Sequence, residues 1–365
     1  MEETLEEIQQ INKPKEKVVV EKLEDIVFKT HGYDIKVVEL ENHKTNGLDA
    51  SWLSLKFSGK DLNLKLINTL RRASSNNVPT YAIPNELINI KPDGNTTVAF
   101  NNDYMRLRLT QLPVLGIEAE LYDLHPKYWK QSDVDYSDRN RLKHPSEQRV
   151  EFFIDKHNET TQIINVTTHD MTMYINGNIN KTYNDYEPIL LIKLRPNDKF
   201  TCSMNAVLGV GERHAIWKHA RNCFYDEKEN GDIEFTIEGN FQCHEYDILL
   251  KTCKFLINKY NILKKQLLDK IAKKEILPER IINFVLDDED HTIGEPLNYE
   301  FQNHENIISS GLSKPDHLIR SILIRIVASE KVKSPLNPML ESIDILINKF
   351  SHIGKQLENL KKKTK

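Results

Sequence analysis

Apolar residues alternate with polar ones over Ser51–Phe57, which places Leu53, Leu55 and Phe57 on one side of an extended chain. Tyr33–Leu40 carries a second strand signal, and between them His43-Lys44-Thr45-Asn46-Gly47 contains the Asn-Gly pair of a tight turn. The period then changes. Leu62, Leu66, Leu70 and Ala73 recur at helical spacing, with Asp61 as the expected N-cap and Pro79 as the stop. This helix, inside the stretch Asp61–Ile83, carries Arg71 and Arg72 one turn past Asn68, where positive charge suits the C-terminal end of a helix dipole.

Between Val78 and Leu194 the pattern breaks into short strands and loops. Lys91-Pro92-Asp93-Gly94-Asn95 reads as a turn, Asp103–Leu109 as a short helix stopped by Pro113, and His125–Gln148 as a long polar loop. Strands are expected at Val150–Ile154, Gln162–Thr168, Ile189–Ile192, Phe200–Val207 and Ile233–Glu238. Two later stretches are the most regular. Leu249, Cys253, Leu256, Tyr260, Leu263 and Leu267 step alternately by four and three, and so do Met339, Ile343, Leu346, Phe350, Ile353, Leu357 and Leu360. The second would run roughly 35–40 Å at ~1.5 Å per residue. So long an apolar seam does not stay exposed, so the two either pack together or meet helices of partner subunits. Lys264–Glu279 continues the first helix as a charged connector ending at Pro278, and leads to a smaller module with strands at Ile281–Leu286 and Ser321–Val327. Residues 1–31 read as a loosely held arm with a short helix at Glu2–Gln10.

Bulk properties narrow the function. A chain of 365 residues holds two or three domains, and a net charge of −4 argues against gripping nucleic acid with its whole surface. The acidic start MEETLEEIQQ has no secretory h-region, and no run reaches the ~20 apolar residues of a membrane helix. Cys202, Cys223, Cys243 and Cys253 show no CxxC pairing and read as reduced, packed thiols. Gly209–Trp217 has neither the third glycine nor the Lys-Ser/Thr of a phosphate loop. Asp287-Asp288-Glu289-Asp290-His291 reads as an acidic turn in which Asp290 or Thr292 caps a helix, because consecutive residues cannot all point at one ion. His214, His219 and Cys223 lack a visible orienter and oxyanion donor, so packing is preferred to nucleophilic catalysis. Arg71, Arg72, Arg106 and Arg108 are few and not interleaved with aromatics, which favours protein contact over nucleic acid.

The order of these segments resembles a known family. LNLKLINTLRRASSNNVPTYAI followed by FNNDYMRLRLTQLPVLGI is similar to the N-terminal domain of the bacterial RNA polymerase alpha subunit. It is closer to the third-largest subunit of eukaryotic RNA polymerase II and the archaeal D subunit. The family pattern falls on Asn68, Leu70, Arg71, Arg72, Val78, Pro79, Thr80, Ala82 and Ile83, then Arg108, Leu109, Leu112 and Pro113, and later on Gly211–Trp217 with Phe224-Tyr225. The C-terminal module resembles the eleventh subunit, archaeal L, through Glu289-Asp290-His291-Thr292-Ile293-Gly294, then Gly311, Pro315-Asp316-His317-Leu318 and the strand Ile322–Ile326. Together the two matches cover roughly residues 33 to 360.

The resemblance implies an α+β fold in which both subunits are joined in one chain, as in some large nucleocytoplasmic DNA viruses. An alpha-like dimerisation domain (32–77 and 195–270) would be interrupted by an inserted mixed α/β domain (78–194). After a linker (271–280), an eleventh-subunit-like module (281–365) would complete an intramolecular pseudo-heterodimer. Its dimerisation seam would comprise Leu249, Leu256, Tyr260, Leu263 and Leu267 against Ile343, Leu346, Phe350, Ile353 and Leu357. The implied role is a non-catalytic assembly platform of a viral DNA-dependent RNA polymerase, with no cofactor and no metal. Asn68, Arg71, Arg72 and Arg108 would face the largest and second-largest subunits, and Asp290, His291, Thr292 and Gly294 would carry the small module's motif. Other small polymerase subunits would also be partners, with little direct nucleic-acid contact and no membrane. The expected location is the viral factory in host cytoplasm and the virion, with the host nucleus as the alternative. An independent nucleic-acid-binding protein and a Cys/His hydrolase are the competing functions. Three departures stand out: His125–Gln148 has no cysteine for the family's zinc loop, Ala73–Asn77 is polar where the family continues apolar, and the family's Gly-Asn is Gly294-Glu295, followed by Pro296.

Overall fold

The computed structural model describes residues 23, 25–44, 51–97, 100–130, 136, 141–273, 279–316 and 318–364. The chain is a mixed α+β protein. Its strands are β1 (Lys36–His43), β2 (Trp52–Ser58), β3 (Thr80–Ala82), β4 (Ile88–Asn95), β5 (Val150–His157), β6 (Ile164–Thr167), β7 (Met171–Ile175), β8 (Asn178–Asn180), β9 (Leu190–Leu194), β10 (Lys199–Gly209), β11 (Ala220–Glu227), β12 (Ile233–Gly239), β13 (Ile281–Asp287), β14 (Ile307–Ser313) and β15 (Ser321–Ala328). Its helices are α1 (Leu64–Asn76), α2 (Asn102–Thr110), α3 (Glu245–Ala272), α4 (His291–Gln302) and α5 (Leu336–Thr364).

Alternation in β2 and β12 makes one sheet face apolar. The antiparallel order is β1-β2-β12-β11, and Leu53, Leu55, Phe57, Phe235 and Ile237 are all fully buried. A second sheet, β13-β15-β14, turns Ile282, Phe284, Leu286, Ile322, Ile324 and Ile326 inward. These faces and the helices α1, α3, α4 and α5 share one continuous core. α3 and α5 lie along each other: the rings of Tyr260 and Phe350 stack at 6.0 Å, and Lys264 Nζ meets Asp344 at 2.7 Å. A second core fills the sheet β3-β10-β5-β7-β8, in which β10 also pairs with β4, together with the β6–β9 ribbon and α2.

Several expectations need correction. Asn63, not Asp61, caps α1, its side chain accepting from Leu66 N at 2.9 Å. Asp61 instead accepts from Asp34 N at 2.7 Å and so ties the chain ahead of β1 to the helix entrance. The stretch Lys91–Asn95 is not a free turn but the end of β4, and its pairing with β10 is irregular between Phe200 and Cys202. Pro92 has no N–H to donate, which fits a broken ladder. The loop His125–Gln148 is not simply polar: Tyr128, Trp129 and Tyr136 are buried, and Arg141 pairs with Glu147 with both side chains almost inaccessible. β14 escapes sequence reading because IISSGLS mixes Ser and Gly into a short alternation.

The expected loose arm is held from Asp25 onward. Phe28 packs over Gly354, where an added Cβ would lie 2.4 Å from the ring. Lys29 N donates to Ser351 Oγ at 2.8 Å, and His31 N to His352 Nδ1 at 3.1 Å. The Glu2–Gln10 helix, the Asn46-Gly47 turn, the stop at Pro278 and His317 lie outside the described residues.

Candidate functional site

α1 buries Leu66, Ile67, Leu70 and Ala73 against the first core, so Lys65, Arg71 and Arg72 fall off its apolar stripe. The structure separates the two arginines. Arg72 Nη2 reaches Asp290 Oδ2 at 3.0 Å, whereas Arg71 Nε turns back along its own helix to Asn68 Oδ1 at 3.1 Å. Arg108 stands on a different element, α2, and donates to the Leu190 carbonyl at 2.7 Å. The sequence grouping of four docking residues therefore resolves into one pair on α1, one inward-facing arginine and one on the second core.

Asp290 does two things with one carboxylate. Its Oδ1 accepts from Thr292 N at 2.7 Å and caps α4, while Oδ2 holds Arg72. Next to it Thr69 Oγ1 donates to the Thr292 carbonyl at 2.8 Å, and Tyr260 OH donates to the Ile293 carbonyl at 3.3 Å. The ε-ammonium of Lys65 lies 3.5 Å from Glu295, which also faces His291 Nδ1 at 3.3 Å. Gly294 packs close to the small module's sheet: a Cβ there would come within 2.2 Å of the Ile322 Cδ1 methyl and 2.6 Å of the Leu312 Cδ1 methyl, which would have to move aside. The motif Asp290-His291-Thr292-Gly294 thus seats the small module's helix on its own sheet and against α1.

A set of charges surrounds this contact. Lys259 Nζ lies 3.1 Å from Glu289, and Asp123 Oδ2 accepts from Asn258 Nδ2 at 2.9 Å. Burial raises the carboxyl pKa of both Asp123 and Glu289, against the opposing pull of Lys259. Burial alone would lower Lys259, but Glu289 and Asp123 outweigh it and leave the ammonium raised. Arg320 pairs with Glu212 and donates to the Asp288 carbonyl at 2.8 Å, and Lys130 pairs with Asp288. Glu212 N donates to Asn76 O at 2.8 Å, and Asn77 Nδ2 to Glu212 Oε2 at 3.0 Å. Gly211 permits that approach, because a Cβ would sit 2.4 Å from the Ser75 carbonyl oxygen. These groups enclose a cavity of ≈ 60 Å³. Each of its cations is paired with a carboxylate, an arrangement suited to fixing elements in register.

Among the described residues Cys223 meets neither His214 nor His219, the pairing that the competing hydrolase reading needs. Cys223 faces Ser74 Oγ at 3.6 Å, and burial pushes its thiol up to about 12. His219 meets Cys243 instead, Nε2 to Sγ 2.8 Å, a pairing that sequence spacing did not reveal. Burial raises the Cys243 thiol and lowers His219 to about 3, so both are neutral at pH 7. His219 is depressed from 6.5 to about 3. Its contribution is therefore present above pH 6.5 and is lost as pH falls toward 3. Relative to His219→Leu, the native chain should lose about 2 kcal/mol between pH 7 and pH 5, measured by denaturant unfolding at each pH. An unchanged difference across that range would show that the buried ring does not control acid stability.

Among the described residues no group of three or more His, Cys, Asp or Glu side chains is arranged to hold a metal ion. Nor is any helix among them long and apolar enough to cross a membrane.

Residues 281–356 match the family model of the RNA polymerase Rpb3/Rpb11 dimerisation domain. Over 339 residues the chain is 24% identical to a protein of Acanthamoeba polyphaga mimivirus named as a DNA directed RNA polymerase subunit. That alignment covers 88% of this chain and 93% of the relative.

Proposed function

We propose that this chain, a relative of a viral DNA-directed RNA polymerase subunit with an Rpb3/Rpb11 dimerisation domain at 281–356, serves transcription as a non-catalytic assembly platform. The observation that supports the reading is that α3 packs on α5 and α1 on α4 within one polypeptide. On this view residues 32–77 with 195–270 and residues 281–365 are the two halves of an intramolecular pseudo-heterodimer, with 78–194 inserted. Tethering supports it: two modules that must meet once per polymerase gain a high effective concentration when joined. The two large subunits would supply the nucleotidyl transfer, in the viral factory or wherever that polymerase assembles.

The structure sharpens the docking test. Arg72 is engaged with Asp290, so reversing its charge weakens the chain's own junction as well as any external contact. Arg71 makes its hydrogen bond within α1, so Arg71→Glu isolates the outer surface. A tagged Arg71→Glu chain should unfold within about 0.5 kcal/mol of the native protein yet lose the large subunits on co-purification. Full recovery of both large subunits by Arg71→Glu would remove α1 from the docking surface.

A further inference from the structure

Two grooves outside the second core share Thr110, Gln111 and Ile216. The first, ≈ 650 Å³, lies between α2 and the 213–217 segment, and the second, ≈ 560 Å³, continues past Ile189 to Phe241. Along this trough α2 presents Leu107, 64% exposed, beside the partly buried Ile216. The cations Arg213, Lys218 and Arg221 line it, together with His214. Of the two acidic lining residues, Glu86 and Asp103, the second is already paired with Arg106 at 3.1 Å. The trough is thus apolar along its floor and positive along its rim.

Two local features fit an occupant. Tyr136 lines the first groove with a buried hydroxyl that has no hydrogen-bond partner among the described residues, a group that ordinarily finds one. Phe241, at the far end, holds a left-handed backbone with φ 71°, rare for an aromatic and typical of functional surfaces. The trough also ends at Arg221 and Asn222, the start of β11, which pairs only with β12 among the described strands. An extended chain leaving the groove would run toward edge strand β11, whose first carbonyl, that of Ala220, accepts from Ser75 Oγ at 3.4 Å.

We propose that this trough seats an extended segment of another polypeptide in which acidic residues alternate with apolar ones. Its carboxylates would meet Lys218 and Arg221, its apolar side chains Leu107 and Ile216, and the Tyr136 hydroxyl would donate to one carboxylate. A single-stranded nucleic acid fits less well. Its bases need open ring faces, but Trp217 and Tyr136 are 2% and 6% exposed and the Arg221 guanidinium lies 5.7 Å from the Phe241 ring centroid. The trough is built without α1, so the proposal does not depend on the docking role given to Arg71.

The test places photoreactive benzoylphenylalanine at position 111, an exposed site where the two grooves join, in the tagged full chain assembled with its partners. Irradiation followed by mass spectrometry should locate an adduct on a polypeptide segment bearing at least two acidic residues interleaved with apolar ones. Adding Lys218→Glu with Arg221→Glu, both exposed positions, should cut the adduct at least ~5-fold. An adduct on nucleic acid, an adduct on a segment without acidic residues, no adduct, or a yield indifferent to the charge reversal would each overturn the proposal. Loss of co-purification by Arg71→Glu with the position-111 adduct intact would separate the two surfaces.

Discussion

Lys349→Met should destabilise the chain by about 3–5 kcal/mol at pH 7, although lysine-to-methionine is a mild change in volume. Lys349 of α5 and Glu300 of α4 pair at 2.7 Å with each side chain only 7% exposed. Removing the ammonium strands a carboxylate in the core. Burial already raises the pKa of Glu300 above 4.5, and losing Lys349, which lowers it, raises it further. A carboxyl with a raised folded pKa binds its proton more readily in the folded state, so the penalty is present above that pKa and fades as pH falls through it. The deficit should therefore shrink between pH 7.5 and pH 5. Lys349→Met combined with Glu300→Leu should regain most of the loss, since an apolar pair of similar size replaces a buried ion pair at little cost. Denaturant melts of the three variants at both pH values are decisive. A pH-independent deficit that the double substitution fails to relieve would mean that packing, not charge, accounts for it.

Phe350→Ala should cost about 3–5 kcal/mol through the cavity left beside Tyr260. Phe350 is wholly inaccessible and its ring stacks on that of Tyr260, itself fully buried. Leu268→Ala on α3, at a position 44% exposed, should cost well under ~1 kcal/mol and serves as the control. Because the seam closes within one chain, the unfolding midpoint of native and variant proteins should not depend on protein concentration. A midpoint that rises with concentration would show that α3 or α5 finds its partner on another molecule.

Much of this arrangement is legible in the sequence for a physical reason. The 3.5-residue seams, Leu249–Leu267 and Met339–Leu360, record burial along one helical stripe, and periodicity reports burial directly. Alternation in Leu53, Leu55 and Phe57 does the same for β2. What periodicity does not carry is the partner of a polar group. Asp61 and Asn63 are both competent caps, and only the path of the chain before β1, which claims the Asp61 carboxylate for Asp34 N, decides between them. Arg71 and Arg72 are adjacent and chemically identical, yet helix geometry turns them about 100° apart, so one meets Asp290 and the other does not. Likewise the His219–Cys243 contact joins two loop positions 24 apart, with no spacing rule to announce it.

The hold of Phe28, Lys29 and His31 on α5 has a temporal consequence. These bonds join positions more than 320 residues apart, such as Lys29 to Ser351, so the beginning of the described chain is secured by an element synthesised more than 300 residues later. Until α5 leaves the ribosome, the apolar stripe of α3 has no cover and the strand that begins near Val37 lacks its bond to Gln356. A second buried cluster, by contrast, takes its buried members among the described residues from Tyr81 to Val210, and closes early. The nascent chain therefore carries a finished middle between unfinished flanks, and exposes sticky surface until α5 emerges.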